Sequence, residues 1–242
     1  MQPGGPFPFL HTTAIVVAAG RGTRLGGRVA KAFLPIAGQP MLVYSLETLS
    51  TLPGVTALIL VVAGDERRHA EAVLQTRDPW PLPIRIVDGG AERQDSVAAG
   101  LAMVDASADL VLVHDAARPF VTAECAAACV AAATTAGAVI AAVPATDTVK
   151  VTDDAGWIVA TPDRRGLWLA QTPQVFRAAL LKEAYRRAAE ERRLATDDAA
   201  LVEALGHRVR VVPGDPENRK ITTPDDVRWA DWYARSVDRA AR

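Results

Sequence analysis

Six short apolar runs recur along this chain, at Ala14 to Ala19, Val55 to Ala63, Ile84 to Val87, Leu110 to Val113, Ala138 to Val143 and Val209 to Val212, and helical patterns separate most of them. Most of these positions are apolar without strict alternation, and such runs need cover on both faces. Strands alternating with helices supply that cover in a parallel sheet, so the pattern predicts a doubly wound α/β fold. Pro40 opens one helix through Leu46; others are read at Glu66 to Thr76, Asp95 to Val104, Thr122 to Ala136, 177 to 193 and 196 to 205. Thr223-Pro224-Asp225-Asp226 starts the last one, with an N-cap hydroxyl, a proline at the first position and carboxylates near the positive end of the dipole. A length of 242 residues accommodates one domain of this kind, read here as 13–240 after a proline-rich tail, 1–12, expected to be disordered. Ligands in such sheets gather at the carboxyl ends of the strands.

The alternation breaks after Val143. Thr146 to Thr152 reads as a strand, Asp153-Asp154-Ala155-Gly156 as a turn and Trp157 to Thr161 as the returning strand, giving an inserted β-hairpin arm over about 146–170. An isolated hairpin is marginal in water, so this arm must lie on its own domain or on a second subunit.

Charge excludes several functions. The formal net charge is −1, so wrapping of nucleic acid is not expected and an anion must be met by a local cluster. Cys125 and Cys129 are the chain's two cysteines; four apart in an alanine-rich helix, they read as core residues and not as a redox or metal pair. Residues 125–146 are uncharged, yet Thr134-Thr135, Gly137 and Pro144 cut them into helix, turn and strand, against a membrane span. The N-terminal segment lacks a basic start and is too rich in proline for a signal peptide, so a cytoplasmic protein is expected.

The first acidic residue is Glu47, whereas Arg21, Arg24, Arg28 and Lys31 all precede it. The four charges follow the first strand in a glycine-rich loop, Ala18-Ala19-Gly20-Arg21-Gly22-Thr23-Arg24-Leu25-Gly26-Gly27, whose amides can approach a phosphate closely. The spacing fits neither the dinucleotide fingerprint, whose third glycine would come one residue earlier, nor the Walker loop. Only 4 of the 27 basic residues are lysine, so Lys31, Lys150 and Lys220 are read either as chosen point charges or as plain surface lysines. Asp115 ends the fourth strand, where a carboxylate can hold Mg²⁺ beside substrate phosphates or serve a turn. His114 points the other way and reads as a structural histidine. Asp88-Gly89-Gly90 lets a planar base lie against backbone; Ser96, at the start of the next helix, reads as its cap.

In order, Ala18-Ala19-Gly20-x-Gly22-x-Arg24-Leu25 with Lys31, Asp88-Gly89-Gly90 with Arg93 and Ser96, His114-Asp115-Ala116-Ala117-Arg118-Pro119, Asp147-Thr148-Val149-Lys150, Gln171 to Phe176, Thr196-Asp197-Asp198 and Lys220-Ile221-Thr222 resemble the 2-C-methyl-D-erythritol 4-phosphate cytidylyltransferases. The resemblance spans residue 13 to about 230 and departs at Ala30, where a proline is usual, and Ala91, where an acid is common. It implies a nucleotidyltransferase fold, CTP and a small polyol phosphate as substrates, and Mg²⁺ or another divalent cation on Asp115. Arg24, Lys31 and Lys220 would be catalytic. Ala18, Ala19, Gly20, Gly22, Gly90 and Ser96 would bind the nucleotide, and Arg118, Thr148, Arg164 and Thr172 the acceptor. It also implies a homodimer through the hairpin arm. A pentitol phosphate cytidylyltransferase is the runner-up, differing in the acceptor pocket. A nicotinamide dehydrogenase fails on glycine spacing, and a catalytically dead nucleotide sensor would be expected to lose Lys31 or Asp115.

Overall fold

The structure, a computed structural model, describes residues 10–20, 22, 30–77 and 79–240, with side chains through Val237. In chain order it contains β1 (Thr12–Val17), β2 (Pro35–Ile36), β3 (Gln39–Pro40), α1 (Met41–Ser50), β4 (Val55–Val62), α2 (Arg67–Gln75), β5 (Ile84–Asp88), α3 (Arg93–Ala102) and β6 (Leu110–Asp115). There follow α4 (Ala123–Ala136), β7 (Ala138–Pro144), β8 (Val151–Thr152), β9 (Ile158–Ala160), β10 (Trp168–Arg177), α5 (Ala178–Glu191), α6 (Asp198–Ala204), β11 (Arg210–Pro213) and α7 (Pro224–Ala240).

Seven strands form one sheet in the order β11-β7-β10-β6-β1-β4-β5. Every pairing is parallel except those of β10, which runs antiparallel between β6 and β7. Alternate residues serve opposite faces, as the all-apolar runs require. Ala14, Val16 and Leu112 pack with residues of α1, α2 and α4 on one side; Ile15, Val111 and Val113 pack with α3, α5 and α6 on the other. A smaller cluster of Ile36, Met41, Ile221, Ala230 and Ala234 fastens α7 to the β2–β3 hairpin.

Three expectations change. Thr12 opens β1 and Leu10 packs against the core, so the fold begins inside the segment read as a tail; residues 1–9 lie outside the described residues. Strand β10 is central, yet the sequence offered it only as a motif. Pro173 has no N–H for the ladder, and the register shifts between Ala170 and Gln174. The hairpin strands are shorter than read: the ladder pairs only Val151 with Ala160 and Thr152 with Ile158, Pro162 and the 3-10 turn Arg164–Gly166 follow, and 146–150 meet the other side through single bonds such as Lys150 Nζ to Thr161 Oγ1 at 2.9 Å. Their turn is as expected, with Gly156 at φ +85° and the Asp153 carboxylate accepting from the amides of Ala155 and Trp157.

Cys125 and Cys129 are free and buried in the core. Helix α4 stops at Gly137, which takes φ +78° before β7, and among the described residues no helix is long and apolar enough to cross a membrane.

Candidate active site

The carboxyl ends of β1, β5 and β6 open into a cleft of about 240 Å³. Ala18, Ala19, Gly20 and Gly22 line it from the β1 loop, Lys31 from the turn that follows, and Gly90 and Ser96 from the start of α3. Asp115 and Lys220 close its inner end. A second pocket of about 190 Å³, lined by Arg118, Thr172, Gln174 and Asp197 among others, shares Arg93, Asp115 and Lys220 with the first. The two therefore meet at one cluster of charges.

Local geometry explains the glycines. Gly22 has φ +62°, and a Cβ there would lie 2.7 Å from Cβ of Lys31. A Cβ on Gly89 would lie 2.6 Å from Cβ of Ala19 and 2.7 Å from Oγ of Ser96, and one on Gly90 would run into Cβ of Asp95. The floor is thus bare backbone. Ser96 is not the helix cap, which is Glu92, whose amide donates to the Asp95 carboxylate at 3.1 Å. Its hydroxyl instead accepts from Gly90 N–H at 3.2 Å and donates to the Glu92 carbonyl at 3.1 Å, fixing the Gly90 turn at the cleft wall.

Asp115 is almost fully buried and doubly paired: Oδ1 accepts from Arg93 Nε at 2.9 Å and Oδ2 from Lys220 Nζ at 2.7 Å. Burial alone would push its pKa up; the adjacent Arg93 and Lys220 charges outweigh this and hold it well below the usual carboxylate range. Burial likewise opposes the charge on Arg93, but Asp198 and Asp115 together raise its pKa.

His114 is buried and satisfied, as read. The Thr172 hydroxyl accepts from Asp115 N–H at 3.1 Å and so donates to His114 Nδ1 at 2.9 Å, leaving Nε2–H to donate to the Arg118 carbonyl at 3.0 Å. Both ring nitrogens are used by a neutral imidazole, and burial lowers the pKa from 6.5 to about 4. The unfolded chain therefore takes up the proton first as pH falls. Stability from this residue is complete above about pH 6.5 and is lost progressively down to pH 4, a loss of about 3 kcal/mol. Thermal unfolding of the wild type should drop across this window, and His114→Gln should flatten the drop; an equal slope in both proteins would contradict the assignment.

Arg118 donates through Nη1 to the Asn218 carbonyl at 2.8 Å and through Nη2 to that of Ala170 at 3.2 Å, while its buried Nε has no hydrogen-bond partner among the described residues. Thr148 and Arg164 do not join either pocket. They sit exposed at the base of the arm, where Arg164 Nη1 donates to the Thr146 carbonyl at 2.6 Å. Arg24 lies outside the described residues.

The family model described as 2-C-methyl-D-erythritol 4-phosphate cytidylyltransferase matches residues 12–236. The chain belongs to that cytidylyltransferase family. It is 42% identical to a relative so named from Caldanaerobacter subterraneus, over 93% of this chain and 100% of that one. It is 47% identical to one from Symbiobacterium thermophilum, over 90% and 91%. Among solved structures, the 4-diphosphocytidyl-2C-methyl-D-erythritol synthase of Anaerococcus prevotii superposes with a TM-score of 0.84 at 32% identity, covering 94% of this chain and 100% of that chain. Against this cytidylyltransferase background, Arg93 lines both pockets although the sequence offers it only as part of a motif, and two further groups near the site escaped the sequence reading. Asn218 holds the Thr172 carbonyl through Nδ2 at 2.8 Å, and Tyr185 donates to buried Asp198. Neither carries a local signal, since each is defined by a partner many residues away.

Proposed function

We propose that the protein transfers CMP from CTP to 2-C-methyl-D-erythritol 4-phosphate, giving 4-diphosphocytidyl-2-C-methyl-D-erythritol and pyrophosphate in the non-mevalonate isoprenoid pathway. The observation that supports it best is the meeting of two pockets at Arg93, Asp115 and Lys220. A nucleotide with its base over Gly90 and its phosphates along the β1 loop brings its α-phosphate to this junction. An acceptor phosphate in the pocket beside Arg118 would reach the same junction. An acceptor phosphate oxygen forms the new bond to the α-phosphorus as the bond to the β-phosphate oxygen breaks, and pyrophosphate leaves with that electron pair. No covalent intermediate with the protein is needed. Lys31 and Lys220 meet the charge that develops on the α-phosphate, and positioning supplies the rest.

The site suits a divalent cation that takes one carboxylate and several phosphate oxygens. Asp115 is ionised and faces the cleft, whereas no group of three His, Cys, Asp or Glu side chains is placed to hold a metal among the described residues. When bound, Mg²⁺ would neutralise triphosphate charge, with most of its other ligands coming from the nucleotide and water.

Thr148 and Arg164 complete the acceptor pocket from a second copy of the chain. The support is the arm itself, where Trp157 is 75% exposed, Ile158 and Val159 are each 61% exposed, and Leu169 follows at 57%. A twofold contact that pairs two arms would bury these side chains. Both reactants are highly charged and cross no membrane unaided, so the reading places the enzyme in the cytoplasm.

Pyrophosphate release should be measured with each nucleoside triphosphate against methylerythritol phosphate and ribitol phosphate. CTP with methylerythritol phosphate should exceed every other pair by about 10²-fold or more, because a site built to hydrogen-bond its substrates rejects analogues that leave its polar groups unpaired. A faster reaction with ribitol phosphate would replace the acceptor in this reading.

A further inference from the structure

A chain of alternating charges leads from the cleft into the core. Lys220 Nζ and Arg93 Nε hold the two oxygens of Asp115, and Arg93 Nη2 donates to Asp198 Oδ2 at 2.8 Å. Asp198, fully buried at the first position of α6, accepts at Oδ1 from the hydroxyl of Tyr185 on α5. Tyr185 lines neither pocket, and its ring packs in the core with Leu181, Ala184 and Ala188. Phenylalanine would fill that space equally well, so the hydroxyl is a feature packing does not require.

We propose that Tyr185 is a positioning residue: its hydroxyl fixes Asp198, Asp198 fixes the far nitrogen of Arg93, and Arg93 thereby sets the orientation in which Asp115 meets the cation. A buried carboxylate that loses a donor must find another. Without the tyrosine proton, Asp198 draws in more of the Arg93 guanidinium, and Arg93 Nε leaves Asp115. Residues behind a metal ligand typically change metal affinity or activity by about 10- to 100-fold when replaced. The inference rests on the reading that Asp115 holds the divalent cation of the CTP complex.

The test is Mn²⁺ binding in the presence of CTP without acceptor, read as the loss of the electron paramagnetic resonance signal of free Mn²⁺ beyond that caused by the same CTP without protein. Tyr185→Phe should weaken binding by about 10-fold. Asp198→Asn should weaken it at least as much, and the double variant should be no weaker than Asp198→Asn alone, because the tyrosine acts through the aspartate. Leu49→Val, a fully buried change on the other face of the sheet, should lower the thermal midpoint and leave Mn²⁺ binding unchanged. Wild-type affinity in Tyr185→Phe, additive losses in the double variant, an equal loss in Leu49→Val, or no nucleotide-dependent Mn²⁺ binding by the wild type would each overturn the relay. Steady-state turnover separates this from the larger reading. A wild type that binds Mn²⁺ with CTP but releases no pyrophosphate with methylerythritol phosphate overturns the proposed function and leaves the relay standing. An active wild type whose Tyr185→Phe variant binds Mn²⁺ normally overturns the relay alone.

Discussion

Asp115→Asn should lower turnover by about 10²-fold or more at saturating CTP and acceptor, and raising Mg²⁺ should recover little of it. The amide keeps the shape of the side chain and loses the charge that a hard cation requires. It also leaves Arg93 and Lys220 sharing one compensating charge fewer at the junction of the pockets. Because Asp115 is nearly buried and held from both sides, the fold is not spared. Removing one partner of a fully buried pair costs about 3–5 kcal/mol, and the exposure of Lys220 to the cleft reduces that figure here. Two measurements check this, pyrophosphate release across a Mg²⁺ titration and thermal unfolding of the same sample. Turnover near that of the wild type would place the cation elsewhere.

Lys31→Ala and Arg164→Ala should each lower activity by about 10²-fold or more as pure proteins, and mixing the two should bring activity back. The reason is geometric. Lys31 lines the nucleotide cleft of its own chain, while Arg164 stands exposed on the arm, away from both pockets. If the arm reaches a twofold partner, the mixed dimer has one site with both mutations and one with neither. Random exchange gives mixed dimers in half of the population, so the mixture should recover about a quarter of wild-type activity. No recovery, with exchange verified by mass spectrometry of differently tagged chains, would mean that each chain builds its own site.

Much of this was legible in the sequence, for identifiable reasons. Strands β1, β4, β6 and β7 contain nearly continuous apolar runs, β5 carries one broken only by Arg85, and the ends of all five move by two residues at most between reading and structure. Such runs have one stable environment, a sheet covered on both faces. Strand β10 escaped because Pro173 interrupts its ladder and because its partners lie far back in the chain. In the site, the loop residues Ala18, Ala19, Gly20 and Gly22 converge with Lys31, Gly90, Asp115 and Lys220 on one cleft, since a doubly wound sheet puts its strand ends together. The Ser96 reading as a cap failed because Glu92 and Asp95 satisfy the helix start one turn earlier. What no local pattern reveals is pairing: Arg93 with Asp198 and Asp115 with Lys220 are each 105 residues apart, and a hydroxyl on Tyr185 looks like any tyrosine on an amphipathic helix until the fold brings Asp198 beside it.

The account rests on attack at the α-phosphorus of CTP by an acceptor seated next to Asp115 and Lys220. Position-specific labelling tests that most directly. With methylerythritol phosphate as acceptor, label in the α-phosphate of CTP should appear in the diphosphocytidyl product in equal amount to pyrophosphate released, and label in the γ-phosphate should appear only in pyrophosphate. Transfer of the γ-label to the acceptor, or release of pyrophosphate with the α-label left in free CMP, would contradict it.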